Sequence, residues 1–308
     1  MLQTFPDAKV LCVDRDPEVL SIARANLADF HTRVSFCTGS YADLATHLKR
    51  AEFPDEVDGI LVDLGANSFH FDAARRGFSV MKDGPLDMRF NQQDEDRPTA
   101  ADAVNTLSEV QLTKLFRSYG EEKLAKEFAK AIVREREERG KVFTTTKELR
   151  ECIERIANMW KSSTKKKTGK RATKLGSTHP ATRCFQALRI YVNDELDHVE
   201  SGVKLLANHL APNRRLVTIA FHSLEDRPIK KFFRELDKQG RIDAVENEED
   251  ENEWKDQSSH DGDDHNANML SKKRFRLTRR KATKATLEEI AANSRSRGAR
   301  LRCLERIQ

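Results

Sequence analysis

The chain has 308 residues, of which 38% are hydrophobic and 34% charged, and its formal net charge is +5 at pH 7. This length fits one domain with a large insertion or two domains, and no apolar run approaches the roughly 20 residues that cross a bilayer. Five cysteines without paired spacing and nine histidines without a ligand pattern predict neither disulfides nor a metal site. We therefore expect a reduced intracellular protein with no membrane segment.

The first predicted strand covers residues 8–13 and leads into a helix. Asp16 is a favoured N-cap and Pro17 a favoured first helical residue. Asp14 follows the strand directly, where a carboxylate of a nucleotide-binding sheet is well placed to accept hydrogen bonds from ribose hydroxyls. A second strand is predicted at 33–37.

The third predicted strand, residues 57–62, is an apolar run that is typical of a strand buried on both faces of a parallel sheet. It ends at Asp63 and Gly65, and ligands of open α/β sheets bind at that carboxyl edge. The thirty-odd residues that follow have no helix or strand period. Long aperiodic loops in compact domains are usually functional or disordered, and the aromatic and apolar residues of this one favour an active-site loop.

A helical pattern replaces the strands between residues 99 and 160. Ser108 with Gln111, and Thr145 with Glu148, form capping boxes that mark helix starts. From position 180 onwards, apolar residues spaced by three and four predict one long amphipathic helix or two nearly continuous ones.

Another buried strand is predicted at 216–221, and residues 274–280 can add a last one. His222 follows the buried strand, and a general base or a structural histidine are the two interpretations of it. Low apolar content predicts disorder for the basic linker 161–176 and for the acidic insertion 246–268.

Four long motifs carry a resemblance to a known family. They are DGILVDLGANS, RRGFSVMKDGPLDMR, STHPATRCFQALRIYVNDEL and IAFHSLEDRPIKKFF, in this order. They resemble the MraW/RsmH family, S-adenosylmethionine-dependent methyltransferases that modify the exocyclic N4 amine of a cytosine in small-subunit ribosomal RNA. The similarity covers residues 8–233 and 274–302.

The resemblance implies an α/β fold, a Rossmann-like methyltransferase sheet with a helical insertion domain. We expect a discontinuous α/β domain over residues 1–98 and 179–308. Residues 99–178 would then form the helical insertion with its basic linker, at the position where the family carries its RNA-docking subdomain.

The resemblance also implies S-adenosylmethionine as the cofactor. It places Asp14 on the ribose, Tyr41 against the adenine and Asp63 as the cofactor carboxylate; a merely buried tyrosine is the alternative for Tyr41. His70 stands where the bacterial motif has glutamine, a departure that weakens the role carried over to it. No catalytic residue is assigned, and methyl transfer to an amine requires no metal.

Small-subunit ribosomal RNA, or the assembling small subunit, is the implied partner. Basic clusters can bind its phosphates, although a solvated loop or tail explains each cluster equally well when it is taken alone. The candidate contacts are Arg183, Arg189, Lys272, Lys273, Arg279, Arg280 and the basic tail 291–302. Arg183 and Arg189 can equally well fix the loop that carries Asp63.

Two other functions compete with this one. The fold can serve an RNA-binding or ribosome-assembly protein that has lost its cofactor, or it can methylate another substrate such as DNA or protein. The long charged insertions are unlike a compact bacterial member. We therefore expect a eukaryotic relative that acts in the mitochondrial matrix, with the cytoplasm as the alternative.

A strand that this kind of nucleotide site requires is missing from the sequence. The site usually opens with a first strand and a glycine-rich turn, but residues 1–7 contain no glycine. The missing strand would lie between the strands at 8–13 and 57–62, so these two edges would lack ladder partners unless they pair with each other. We expect a truncated form that binds the cofactor poorly and methylates little RNA.

Overall fold

The computed structural model describes residues 1–168, 179–250 and 273–308, without the side chains of 164–168 and 242–250. The chain divides into two compact units. Met1–Gly65 and Leu196–Gln308 form an α/β unit, and Ala66–Glu195 forms a helical unit. The expected α/β class with a helical region is confirmed.

The α/β unit begins with two strands that pair in parallel, β1 (Val10–Asp14) and β2 (Val34–Thr38). Between them lies α1 (Pro17–Asn26), which starts as predicted, because the Asp16 carboxylate accepts from the backbone N–H of Glu18. Helix α2 (Leu44–Arg50) follows β2.

A second sheet of five strands completes this unit, in the order β3–β4–β7–β5, with β6 paired to β7. The parallel pair β3 and β4 comes first, and β7 then pairs antiparallel with both β4 and β5. The strands are β3 (Val57–Asp63), β4 (Leu210–Ala220), β5 (Phe275–Leu277), β6 (Thr283–Lys284) and β7 (Arg300–Arg306).

Three helices accompany the second sheet: α9 (Glu195–Asn208), α10 (Ser223–Asp250) and α11 (Leu287–Ala292). Residues of both sheets, α2, α9 and α10 share one apolar cluster. Its members include Leu48, Val62, Val203, Leu216 and Phe233, with Leu11 and Tyr41 packed against it. This shared core positions the strand ends that carry the candidate site.

The two sheets are not joined by a ladder. Within the described part of the chain, β1 pairs only with β2, and β3 only with β4. One edge of β1 and one edge of β3 therefore carry no strand among the described residues.

The prediction that the third strand is buried on both faces was wrong. Val62 is buried, but Leu61 is 67% exposed. Leu61 and Asp63, the residues on either side of Val62, are both exposed, so this end of β3 is buried on one face only.

The basic tail 291–302 is not a free tail, because it runs into a strand near the centre of the second sheet. In β7 the buried residues alternate and include two arginines, Arg302 and Arg306. Arg302 pairs with Asp226, and Arg306 with Glu56. Arg302, the last residue of the predicted tail, therefore contributes to the fold, and phosphate contact by the rest of the tail stays a prediction. The predicted strand at 274–280 is confirmed as the shorter β5.

The helical unit begins with a short helix, α3 (Ser68–Asp72), followed by a long irregular stretch. Five further helices then build its core: α4 (Ala100–Thr106), α5 (Glu109–Gly120), α6 (Ala125–Arg139), α7 (Thr146–Thr168) and α8 (Pro180–Asn193). The capping boxes predicted at Ser108 and Thr145 are present. The predicted pair of nearly continuous helices is confirmed as α8 and α9.

The unit boundaries differ from the predicted 98/99 and 178/179. Phe78, Leu86 and Met88 belong to the helical core, as do Cys184 and Leu188 of α8. These contacts assign residues 66–98 and 179–195 to the helical unit.

The two predicted disordered segments are only partly described. Residues 161–168 continue α7, and residues 246–250 continue α10, so both stretches are helical instead. Residues 169–178 and 251–272 lie outside the described residues. All five cysteines are described, and none of them forms a disulfide. No described helix combines the length and apolar character that crossing a bilayer requires.

Candidate functional site

Asp14 ends β1 and is held in place by its own loop. Its Oδ1 accepts from the backbone N–H of Asp16 at 2.8 Å. Its backbone oxygen accepts from the N–H of Gly39, the residue after β2, at 2.9 Å. The end of β1 is therefore tied to the turn that follows β2.

Tyr41 lies in that turn. Gly39 has φ +151°, and a side chain there would collide with the His47 ring, since a Cβ would lie 2.7 Å from His47 Cε1. Ser40 then caps the short 3₁₀ turn Tyr41–Asp43, its hydroxyl accepting from the N–H of Ala42 at 3.1 Å. The half-buried Tyr41 packs against the shared core, so the turn fixes an aromatic ring at the end of β2.

Asp63 ends β3 between two buried anchors, Val62 and Leu64. The N–H of Leu64 donates to the oxygen of Ile219 in β4 at 3.0 Å. Gly65 follows with φ +83°, a conformation that favours glycine. Because neighbouring side chains point to opposite faces of a strand, the two anchors aim Asp63 away from the core and into solvent.

Although the Asp63 side chain is exposed, desolvation by nearby protein atoms, and then the charge of Glu225, raise the pKa of its carboxyl above the ordinary 3.8. A carboxyl group whose pKa is shifted by desolvation and a neighbouring charge is a candidate for a functional site.

We expect Asp63→Asn to raise the Tm at pH 7. A raised folded-state pKa means that the ionised carboxylate opposes folding. The penalty is present above the folded-state pKa and absent below pH 3.8, so wild type and variant should converge in acid. Thermal unfolding at several pH values checks this. A lower Tm for the variant at pH 7 would contradict it.

His222, after β4, is held by a buried carboxylate. Glu225 Oε1 lies 2.8 Å from His222 Nε2, and Glu225 Oε2 accepts from the N–H of Phe221 at 2.8 Å. Glu225 is fully buried. This engagement favours the structural interpretation of His222 over the general base.

His70 belongs to the helical unit, where it completes a capping box. The N–H of Asn67 donates to His70 Nδ1 at 3.1 Å, and Asn67 Oδ1 accepts from the N–H of His70 at 3.2 Å. The ring, which is buried, stacks on Phe78 with centroids 4.8 Å apart. Because Nδ1 is the acceptor, the ring proton lies on Nε2. The structure thus gives His70 a local structural role, and its cofactor role stays a prediction.

Two buried side chains that the sequence did not single out hold the loop predicted as the active-site loop. Arg76 donates from Nη2 to the backbone oxygens of Arg89 and Phe90 at 3.0 and 2.8 Å. Asn193 accepts from the N–H of Phe90 at 2.9 Å and donates to the oxygen of Met88 at 2.8 Å. Both residues lie inside the four motifs that carry the family resemblance, and this position was the only indication in the sequence that they matter.

The candidate RNA contacts separate into internal and exposed side chains. Arg189 forms a two-pronged ion pair with Glu195, at 2.8 and 2.9 Å, and is mostly buried. The Lys273 ammonium lies 2.7 Å from Glu56 Oε1 and 2.6 Å from the oxygen of Asn208. Both cations stabilise the fold, so we leave them out of the RNA surface proposed below.

The other candidates remain available. The Arg183 side chain is 43% exposed and lies 3.9 Å from Glu122. Arg279 and Arg280 are exposed after β5, with Lys281 next to them. Lys272 lies outside the described residues.

The α/β unit therefore places a carboxylate, an aromatic ring and a second carboxylate at the carboxyl ends of β1, β2 and β3. Carboxylates accept from sugar hydroxyls and stabilise positive charge, and an aromatic face stacks on a base. This donor set suits a nucleoside that carries a cation.

Comparison with known proteins points to one family. The sequence matches the MraW methylase family over residues 1–307. It is 36% identical to the ribosomal RNA small subunit methyltransferase H of Elusimicrobium minutum (strain Pei191), over 98% of this chain and 84% of that protein. It is 38% identical to the protein of the same name from Syntrophotalea carbinolica, over 99% and 86%.

A eukaryotic protein is similar as well. The probable methyltransferase-like protein 15 homolog of Drosophila melanogaster is 37% identical, over 98% of this chain and 82% of that protein. The match to the family spans both the α/β unit, which carries Asp14, Tyr41 and Asp63, and the helical unit, so the chain belongs to the MraW methylase family.

Proposed function

We propose that the chain transfers a methyl group from S-adenosylmethionine to the exocyclic N4 amine of a cytosine in small-subunit ribosomal RNA. The observation that carries the proposal is the set of strand-end side chains, Asp14, Tyr41 and Asp63, in a member of a methylase family. Relatives that are named small-subunit RNA methyltransferases support the substrate.

The residues fit the proposed cofactor, which supplies a methyl group on a cationic sulfonium. Asp14 accepts from ribose hydroxyls, and the Tyr41 face stacks on the adenine. Asp63 provides a negative charge for a cationic ligand. Because the charged form is the useful one, binding should strengthen as the pH rises through the raised pKa of Asp63.

The acceptor amine dictates the rest of the chemistry. Its lone pair is delocalised into the cytosine ring, so the protein contributes mainly by holding the amine in a near-attack geometry. Acceptors around Asp63 can bind the amine hydrogens and free the lone pair. The target base must also be unpaired or flipped out of a helix.

Alanine at Asp14 and Asp63 should weaken S-adenosylmethionine binding, because each change removes a charged hydrogen-bond acceptor. Calorimetry with each variant measures this. Asp58→Ala is the matched control, since Asp58 is an exposed carboxylate of the same strand β3. Unchanged affinity in both site variants would remove these residues from the site.

Methyl transfer separates the competing functions. Small-subunit particles, duplex DNA and protein are offered with labelled cofactor, and we expect transfer to the RNA of the particles alone. Binding of RNA without cofactor binding would instead support an RNA-binding assembly protein. Transfer to DNA or protein would support the third function.

We propose that Arg279 and Arg280 contact RNA phosphates. Neutralising both should weaken RNA binding and flatten its dependence on salt, because fewer counterions are released. Neutralising Lys49 and Arg50, a consecutive exposed basic pair of α2, is the control. If the dependence of RNA affinity on salt concentration is unchanged, Arg279 and Arg280 are solvated side chains that do not contact phosphates.

Action in the mitochondrial matrix is also part of the proposal, and the similarity to the Drosophila protein supports a eukaryotic type. Imaging of the tagged protein in eukaryotic cells tests it. A purely cytoplasmic signal would contradict the proposal.

A further inference from the structure

We propose that His198 and Gly202 of α9 are positioning residues that set the orientation of the Tyr41 ring. The proposal rests on the proposed function, in which this ring stacks on the adenine. Neither residue needs to touch the cofactor.

Gly202 is the contact point between α9 and the ring. A Cβ at position 202 would lie 2.4 Å from Cε2 and 2.9 Å from Cδ2 of Tyr41. Both distances are shorter than any real carbon contact of this kind, so the ring lies directly on the helix backbone. Glycine weakens a helix interior, and this close approach is a physical reason for having it here.

His198 holds the residue next to the ring. Its Nδ1 lies 3.1 Å from the hydroxyl of Ser40, which also accepts from the N–H of Ala42. His198 and Gly202 are four residues apart and so lie on one face of α9. The same helix face therefore contacts both the ring and the residue that caps its turn.

Two further elements hold the turn. The oxygen of Ser40 lies 2.9 Å from Nε2 of His47 in α2, and since a carbonyl can only accept, that nitrogen carries the proton. On the other side, the N–H of Gly39 donates to the oxygen of Asp14. The Tyr41 turn is thus fixed by β1, α2 and α9, and of these α9 touches the ring itself.

A ring that stacks on a base must present one face at a defined height. A methyl group at position 202 must displace the ring, while Asp14 and Asp63 stay unchanged. Gly202→Ala should therefore lower S-adenosylmethionine affinity about tenfold, the scale of a lost base–aromatic stack. Ser201→Ala is the matched control, because Ser201 is the exposed neighbour on the same helix.

A double-mutant cycle shows whether Gly202 acts through the ring. In a Tyr41→Ala background, Gly202→Ala should cause no further loss of affinity. His198→Ala should also weaken binding, and His198→Asn, which keeps a polar group beside Ser40, should restore part of it. Additive losses at 41 and 202 would overturn the inference.

A ligand-free measurement keeps the two proposals distinguishable. The chain has three tyrosines, so fluorine NMR of the 3-fluorotyrosine-labelled protein gives few signals, and Tyr41→Phe assigns the one of interest. Gly202→Ala should shift that signal and leave the other two in place; an unmoved Tyr41 signal overturns the inference whatever the ligand does. A wild type that does not bind S-adenosylmethionine overturns the proposed function and, with it, the role of the ring.

Discussion

Replacing Asp226 with alanine should destabilise the α/β unit by about 3–5 kcal/mol, the cost of breaking a buried ion pair. Asp226 accepts from Arg302 Nε and Nη2 at 2.7 and 3.0 Å, and from Arg300 Nη1 at 3.2 Å. Arg302 is only 9% exposed. Alanine would leave its guanidinium buried without its carboxylate, between β7 and the start of α10.

The pH dependence of this stability has a definite sign. Burial, the largest influence, would raise the pKa of Asp226, but Arg302 and Arg300 together outweigh it and lower that pKa. The contribution is therefore complete above the ordinary 3.8 and is lost as the pH falls through the lowered folded-state value. The difference between wild type and Asp226→Ala should shrink in strong acid.

Urea unfolding at pH 7 and at acidic pH measures both effects. Arg276→Ala is the control, because it breaks an exposed pair on the same sheet, where Arg276 is 59% exposed beside Glu305. Exposed pairs contribute at most about 1 kcal/mol. Equal losses from the two variants would contradict the assignment of Asp226 as a buried anchor.

Asn193→Ala should cost the helical unit roughly 3 kcal/mol, since it leaves two buried backbone groups without a partner. These are the N–H of Phe90 and the oxygen of Met88, both bonded to the fully buried Asn193 amide. Met88 has φ +64° and is itself fully buried. The two hydrogen bonds of Asn193 therefore hold the loop at a residue whose backbone is strained.

Hydrogen exchange at the Phe90 amide measures the loss of its hydrogen bond to Asn193, and protection of this amide should fall in the Asn193→Ala variant. Gln186→Ala is the matched control, because Gln186 lies on the same helix α8 and makes one long bond, 3.4 Å to the oxygen of Tyr119. We expect the control to cost less than about 1 kcal/mol. Retained protection at Phe90 would show that another contact holds the loop.

Local signals predicted the elements that local chemistry determines. The Asp16 cap and the box at Ser108 depend on residues close in sequence, and both are present. The break between α8 and α9 falls at Asp194, which adopts φ +48°. The spacing of the apolar residues predicted both helices because each helix has an uninterrupted buried stripe, α8 before Asp194 and α9 after it.

The features that the sequence did not predict depend on distant partners. Arg302 ends the predicted basic tail, and only Asp226, far away in sequence, makes it an inward-facing strand residue. The pairing of Lys273 with Glu56 also depends on a distant partner, and its contact with RNA phosphate stays a prediction. The exposure of Leu61 likewise depends on which other elements pack against β3, and the sequence of β3 alone does not show this.

The position of β7 constrains the order in which the protein can fold during synthesis. The helical unit, Ala66–Glu195, is contiguous in sequence and is complete when its last residue emerges, so it can fold as a unit. By contrast, β3 emerges early but waits for β4, and β4 waits for β7 at residues 300–306. The sheet that contains β3 and β4 is therefore completed only when almost the whole sequence has been made, so the nascent chain carries unpaired edges of this sheet that are open to aggregation and to chaperones.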